Sequence, residues 1–516
     1  MWKLVAIVLY AAVLLGIGVL ASRRTRNIRD YFAGGKNLGF INVAFSARAT
    51  GESSWLLLGL TGMGFAIGAQ AFWVVLGEII GVGGAWLFMA RRFKRLTDQY
   101  DSVTVPDYLE SRFRDKGHSL RMIAAFTLLV FVPIYAGAQV FATGQAFYNF
   151  FGWDHFLGAT AGFLVVLMYI TKGGFIAVVW SDVFQGSLML IGLVALPLVA
   201  LMEIGGVTNI MDSLRAIDPD LLSLHGPGDA PGTGGWNAMT LATVFGLAAI
   251  GIGFFGSPQV FVRFISLRSE KEINKGASVA ILWTLLADGG AVLVGIIGRA
   301  MFTMDDLGGD AEKILPHMSS TLLPAFFAGV FVAMVLSAIM STVDSLLVVA
   351  SSAGVRDYWQ KTKHPDMSDE QLIKLSHRVT LVLALIAFGV GMGLLGYNKE
   401  QALFWVVIFG WSGIAATFCP MIILSLFWSK FTALGAKGAM ISGFLMVPLL
   451  KFAAGPVFDA IGWTDGAAYL AALDVLLPAF IISGVVGIAL SLVDKAGQED
   501  VRDAKADLDK AAGKGE

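Results

Sequence analysis

Apolar runs recur along the whole of this 516-residue chain, and many approach the roughly 20 residues that a helix needs to cross a bilayer. The pattern predicts thirteen spanning helices, beginning near residues 2, 38, 69, 120, 155, 176, 238, 277, 320, 377, 401, 436 and 472. The second of these is interrupted. Between Leu38 and Gly64, the run Arg48-Ala-Thr-Gly-Glu52-Ser-Ser54 sets two charges, a glycine and several hydroxyls inside an apolar stretch. A charge at the bilayer centre costs about 3 kcal/mol on insertion scales, so these residues need compensation. Irregular backbone survives at that depth only where it is buried in protein or lines a cavity, which is how transporters build ion and substrate sites. The run points to transport.

Composition agrees. The chain is 56% hydrophobic and 15% charged, against about 25% charged in soluble domains, so it reads as an all-α polytopic membrane protein. The loops sort by charge. Arg23 to Lys36, Arg91 to Arg121, Arg263 to Lys275 and Arg356 to Arg378 are basic, whereas Asp212 to Asp229 and Asp305 to Glu312 are acidic. Basic loops stay in the cytoplasm, which predicts an outside N-terminus and a cytoplasmic C-terminus in the plasma (inner) membrane. The first apolar run, Leu4 to Ala21, is followed rather than preceded by arginines, so it reads as a retained helix and not a signal peptide. The charged stretch 495–516 reads as a solvated cytoplasmic tail. A single cysteine, Cys419, excludes an intramolecular disulfide and a cysteine-based metal cluster.

A second polar group lies in the ninth span. At 100° per residue, Ser337, Ser341, Asp344, Ser345 and Ser352 share one helix face. A hydroxyl stripe with one carboxylate suits a hard monovalent cation, although small hydroxyl residues also serve as packing between membrane helices. In the first group, Arg48 and Glu52 are four apart and pair on one face. Glu78, Asp182 and Asp288 are the other ionisable residues inside predicted spans; Glu78 or Asp288 is a candidate distant partner of Arg48. Gly251-Ile-Gly253-Phe-Phe255-Gly256-Ser257-Pro258-Gln259 thins and interrupts the seventh span, and Tyr135 offers an aromatic with a polar tip. The chain has no P-loop, HExxH or GxSxG motif, so neither an enzyme nor a nucleotide site is expected. The basic loops are explained by topology, so no nucleic-acid partner is expected.

Several short motifs then combine: Asp30-Tyr-Phe-Ala-Gly-Gly35, Val103-Thr-Val-Pro106-Asp-Tyr108 with Arg112-Phe113, Gly173-Gly-Phe175, Trp180-Ser-Asp182, Phe255-Gly-Ser-Pro258 and Met340-Ser-Thr342. In this order and spacing the chain resembles the sodium/solute symporter family, most closely its sodium/proline symporters. The resemblance implies a LeuT-like core of two inverted five-helix repeats. Its extent would be 38–430, after a first helix and loop (1–37) and before two C-terminal helices (431–494) and the tail (495–516). It also implies a sodium site from the carbonyls of Ala49, Glu52 and Ala338 and the hydroxyls of Ser341 and Thr342, with Asp182 on the sodium exit. Substrate would lie near Ser53, Ser54, Trp55, Tyr135, Phe254 and Pro258, with Arg48, Asp344 and Asp288 as possible coupling charges. The chain departs from the proline-transporter pattern at Gly51, where an Asp is usual, and at Ile250 and Phe254, where a Trp and a Tyr are usual. The expected function is sodium-driven uptake of a small amino acid, proline or a relative, by a monomer in the lipid bilayer, with sodium as coupling ion and no other cofactor. Proton coupling through Glu52 or Asp288 is the alternative, followed by a transporter-like sensor or a passive channel.

Overall fold

The computed structural model describes residues 1–24, 27–170, 174–399, 402–463 and 465–513. Arg26 of the first basic segment and Gly173 of the Gly-Gly-Phe motif lie outside them. The described elements are helical, apart from one isolated bridge between Leu38 and Leu267. The principal helices are α1 (Trp2–Ser22), α2 (Phe40–Gly51), α3 (Thr61–Ile67, entered through a wide turn at Trp55–Leu60), α4 (Phe72–Gly84), α5 (Ser119–Phe151), α6 (His155–Ile170), α7 (Gly174–Glu203), α8 (Ala238–Ala249), α9 (Pro258–Ser266), α10 (Ile273–Met301), α11 (Ala325–Ser352), α12 (Asp369–Tyr397), α13 (Leu403–Phe427), α14 (Ala433–Phe452), α15 (Leu476–Val493) and α16 (Ala504–Ala511).

Among the described residues, eleven helical stretches are long and apolar enough to cross a membrane. The difference from thirteen has two sources. Trp55–Gln99 is a single run of 45 residues, and the apolar part of α6 is shorter than a full crossing. Gly68, at φ +59°, reverses the long run. Gly64 lies against Val292, near the C-terminal end of α10, whereas Gly83 and Trp86 lie against Ile281 and Gly276, nearer its N-terminal end. The chain therefore climbs along α10 and returns beside it.

Two crossings are broken at corresponding places. The first break separates α2 from α3 at Glu52–Ser54, where Ser53 takes a φ of +51°. A non-glycine residue there costs about 1–3 kcal/mol and persists only if its surroundings hold it. The second break lies between α8 and α9, where a tight helical turn over Ile250–Phe255 ends at Gly256 and Ser257 before Pro258 restarts the helix. Glycine at 256 is required by contact: a Cβ there would stand 2.7 Å from the Cα of Cys419. The broken elements begin the two five-helix halves, as inverted repeats demand. The polar group of the ninth span marks no further break, because α11 runs unbroken over Ala325–Ser352. The hydroxyls of Ser337 and Ser352 bond carbonyls of α11 itself, at Ala333 (2.8 Å) and Val349 (2.8 Å), so they decorate the helix without opening it.

The C-terminal tail is less solvated than its composition implies. α16 buries Ala504, Leu508 and Ala511, and Asp507 accepts hydrogen bonds from Gln99 (2.6 Å), Tyr100 (2.6 Å) and Arg114 (2.8 Å) of the large basic loop.

Candidate ion and substrate site

In a helix, the carbonyls of Ala49 and Thr50 would accept from the N–H groups of residues 53 and 54. The break withdraws those donors. The N–H of Ser54 instead donates to the side chain of Gln139 on α5 (3.2 Å), as does its hydroxyl (2.8 Å). Hydroxyls of α11 take over: Ser341 donates to the carbonyl of Ala49 (2.8 Å) and Thr342 to that of Thr50 (3.2 Å). Ser341 also lies 3.2 Å from the carbonyl of Ala338. Three carbonyls and two hydroxyls thus gather where the unwound segment meets α11. The carbonyl reached by Thr342 is that of Thr50, a residue outside the expected set of Ala49, Glu52, Ala338, Ser341 and Thr342.

One helical turn earlier, Asp182 of α7 does not stand alone. Arg263 of α9 reaches it at 3.0 Å and donates to Ser46 (2.9 Å), Ser345 (2.6 Å) and Thr50. Asp182 also accepts from Ser46. Both charged residues are fully buried, so this guanidinium ties α2, α7, α9 and α11 together. Asp344 neighbours the same knot through Ser345 (3.3 Å). The sequence had placed Arg263 at the start of a cytoplasmic loop. Its signal was local: it sits in Val260-Phe-Val-Arg-Phe-Ile265, an apolar helix entered at Pro258, where a lone charge requires a buried partner.

The opposite face of α2 carries the other charges. Arg48 pairs with Glu52 and reaches Glu78 of α4 (3.4 Å) and Asp288 of α10 (3.5 Å). Both distant carboxylates meet it, where the sequence offered one or the other. The guanidinium stacks over Phe254 at 4.7 Å. That ring explains the tolerance for glycine at 51, since a Cβ there would stand 2.6 Å from the ring of Phe254.

The expected substrate residues gather only in part. Trp55 donates its indole N–H to the carbonyl of Gly51 (3.2 Å). Phe254 and Tyr135 both face Trp411 of α13, with ring centroids 5.2 Å and 6.4 Å away. Trp411 in turn donates to the carbonyl of Ile250 (3.0 Å). Ser53, Ser54, Trp55, Tyr135 and Phe254 therefore belong to the two breaks and their neighbours, and Gln139 and Trp411 join them without having been foreseen. Their signals were weak: one amide and one indole inside apolar spans. Pro258 lies apart, lining a small gap with Phe32, Pro106 and Val348.

A cavity of about 810 Å³ opens on the side of the acidic loops and is lined by Leu58, Gly59, Gln145, Glu312 and Phe404. Phe404 meets Trp55 edge-on at 6.0 Å, so an aromatic pair separates this vestibule from the break. Glu312 anchors the pair, because its carboxylate accepts the N–H groups of Leu403 (2.9 Å) and Phe404 (3.0 Å) at the start of α13. Burial pushes the Glu312 carboxyl up to about 7, against the pull of those two N–H groups.

Two broken helices crossing beside an oxygen-lined junction and below a vestibule define a membrane transporter of the LeuT-like class. Residues 31–443 match the sodium:solute symporter family. The chain is 33% identical to the high-affinity proline transporter PutP of Bacillus subtilis over 83% of its own length and 88% of the relative's. It is 30% identical to the sodium/proline symporter of Escherichia coli, over 98% and 96% respectively. In fold it is similar to a Na+-coupled sialic acid symporter solved in a substrate-bound outward-open state, with a TM-score of 0.75, 18% identity and coverage of 95% and 98%. The chain belongs to the sodium:solute symporter family. It is a multi-pass membrane protein.

Two outcomes are expected here. Arg263→Met strands a buried carboxylate and should cost about 3–5 kcal/mol of stability. Adding Asp182→Asn should recover part of that loss, and thermal unfolding of the purified variants measures both. The raised carboxyl of Glu312 favours the protonated folded state, so its contribution is complete below the ordinary value of 4.5 and is lost as pH rises through about 7. Glu312→Gln should flatten that segment of the stability–pH curve; an unchanged curve would exclude Glu312 as its source.

Proposed function

We propose that this protein is a sodium-coupled symporter that imports proline or a closely related small amino acid by alternating access. The observation that carries the reading is the meeting of the Ala49 and Thr50 carbonyls with the Ser341 and Thr342 hydroxyls. With the carbonyl of Ala338, these are oxygen donors without formal charge, and a hard monovalent cation suits such a set. A sodium ion there would receive the lone pairs of both hydroxyls and join the unwound end of α2 to α11. Binding would thereby set the angle between the helices that separate the two gates.

The names of the relatives support proline and sodium as the transported pair. Trp55, Tyr135, Phe254 and Trp411 would surround the apolar ring of the substrate, with Ser53, Ser54 and Gln139 offering polar contacts. The charge of the basic loops supports a cytoplasmic C-terminus and an outside N-terminus, and on that reading the vestibule lined by Glu312 and Phe404 is the outer one. Substrate would enter past the Trp55–Phe404 pair, and sodium would leave inward along Asp182 once Arg263 shifts. The unit that carries this cycle is 38–430, acting as a monomer.

The test is uptake of radiolabelled proline by the purified protein in vesicles, with sodium varied against choline. Ser341→Ala and Thr342→Ala should each raise the sodium concentration for half-maximal uptake about tenfold, the equivalent of one lost ligand worth about 1.4 kcal/mol. Unchanged sodium dependence in both variants would overturn the site. Uptake that persists in choline and follows a proton gradient would overturn sodium coupling.

A further inference from the structure

The stretch 495–516 has the composition of a solvated tail, yet α16 is docked on the protein. Val501, Ala504, Leu508 and Ala511 recur at helical spacing and are all buried. Around that apolar stripe the contacts are polar and specific. Asp507 accepts from Gln99 (2.6 Å), Tyr100 (2.6 Å) and Arg114 (2.8 Å), and Asp503 meets Arg114 at 3.1 Å. Arg95 donates to the carbonyl of Ala511 (3.4 Å) at the C-terminal end of α16, where a cation also suits the helix dipole.

The surface that receives α16 has two arms. One is the helix Ala90–Gln99, which carries Arg95 and Gln99 and is followed at once by Tyr100. The other is the helix Val105–Phe113, which ends at Arg114 in a left-handed conformation (φ +54°). The arms in turn grip two membrane helices. On the first, Phe93 packs edge-on against Phe261 (4.9 Å) and Lys94 donates to the carbonyl of Ile265 (3.2 Å), both in α9. On the second, Arg112 donates to the carbonyls of Ser425 (2.9 Å) and Trp428 (3.1 Å) at the C-terminal end of α13. Phe93 also meets Tyr108 edge-on at 4.9 Å, which joins the arms to each other. Beside Arg263 on α9, Val262 lines the small gap with Thr104 and Pro106 from the start of the second arm.

We infer that α16 is a latch on the inner side of the transporter. Docked, it holds the two arms together and so restrains α9 and α13; undocked, it lets them separate. The inference rests on the alternating-access reading above for the direction in which α9 moves. A contact shifts a conformational equilibrium only by its different strength in the two states. The latch has that difference, because it bridges both arms and any separation breaks half of its polar contacts. The side chains of Arg114 and Asp507 are 30% and 16% exposed. Water competes for them, so the latch releases while the core helices stay folded.

Thiol labelling of the full chain in lipid nanodiscs, without sodium or proline, reads the latch directly. Val262→Cys is the reporter, with Cys419→Ser as background. Asp507→Arg sets like charge against Arg114, and a chain stopped after Val493 lacks α16. Each should speed labelling by about threefold or more, the scale of one lost ion pair. Adding Arg114→Asp to Asp507→Arg restores opposite charges and should return labelling toward the parent rate. Labelling at the parent rate in both Asp507→Arg and the shortened chain would overturn the latch. If Asp507→Arg fails to fold, the shortened chain decides alone. A charge swap that leaves labelling fast would overturn Asp507 and Arg114 as the contact that holds it. Sodium-dependent thermal stabilisation should be the same in all of these variants, so the latch and the sodium site stand or fail separately.

Discussion

A bilayer offers no water to a carbonyl that has lost its helical donor. Where α2 unwinds, Ala49 and Thr50 lose theirs, and Ser341 and Thr342 supply replacements from a different helix. The rest of the arrangement depends on that exchange. It places the open end of one helix against the middle of another with oxygen on both sides. It also ties α2 to α11 through those two hydrogen bonds.

α2 is held on two faces by two kinds of ionic contact. Ser46 and Thr50, four apart, turn toward Asp182 and Arg263. Arg48 and Glu52, also four apart and set about 200° around the helix, turn toward Glu78 and Asp288. α2 is thus pinned on both sides up to Gly51, where its helix ends. Phe254 separates the two regions, with the Arg48 guanidinium over its ring behind and the tilted ring of Trp411 against it in front. The charges of the cluster therefore lie behind the aromatic wall.

Much of this was legible in the sequence, and what was missed has a common cause. The break at Arg48–Ser54 stood out because charge, glycine and hydroxyls interrupted an apolar run. The pairing of Arg48 with Glu52 followed from helical spacing, and Ser341 and Thr342 from family resemblance. The second break was written only in Gly251 to Pro258, residues common in ordinary spans, and its correspondence to the first appeared only in three dimensions. Arg263 was assigned to a loop because a basic residue after an apolar run usually ends it. The convergence of Glu78 and Asp288 on Arg48 depends on helix packing between α2, α4 and α10, which periodicity does not encode. The stripe on α11 was partly misleading: Ser337 and Ser352 serve their own helix, while Ser341, Thr342 and Ser345 reach across.

The central claim is that the break in α2 and the hydroxyls of α11 bind sodium as one unit. Amide hydrogen exchange of the purified protein in sodium chloride, compared with choline chloride, tests it most directly. The account predicts that sodium slows exchange together in two segments far apart in sequence, residues 48–55 and 338–345, while α14 and α15 are unaffected. Exchange in both segments that is the same in sodium and in choline would contradict it.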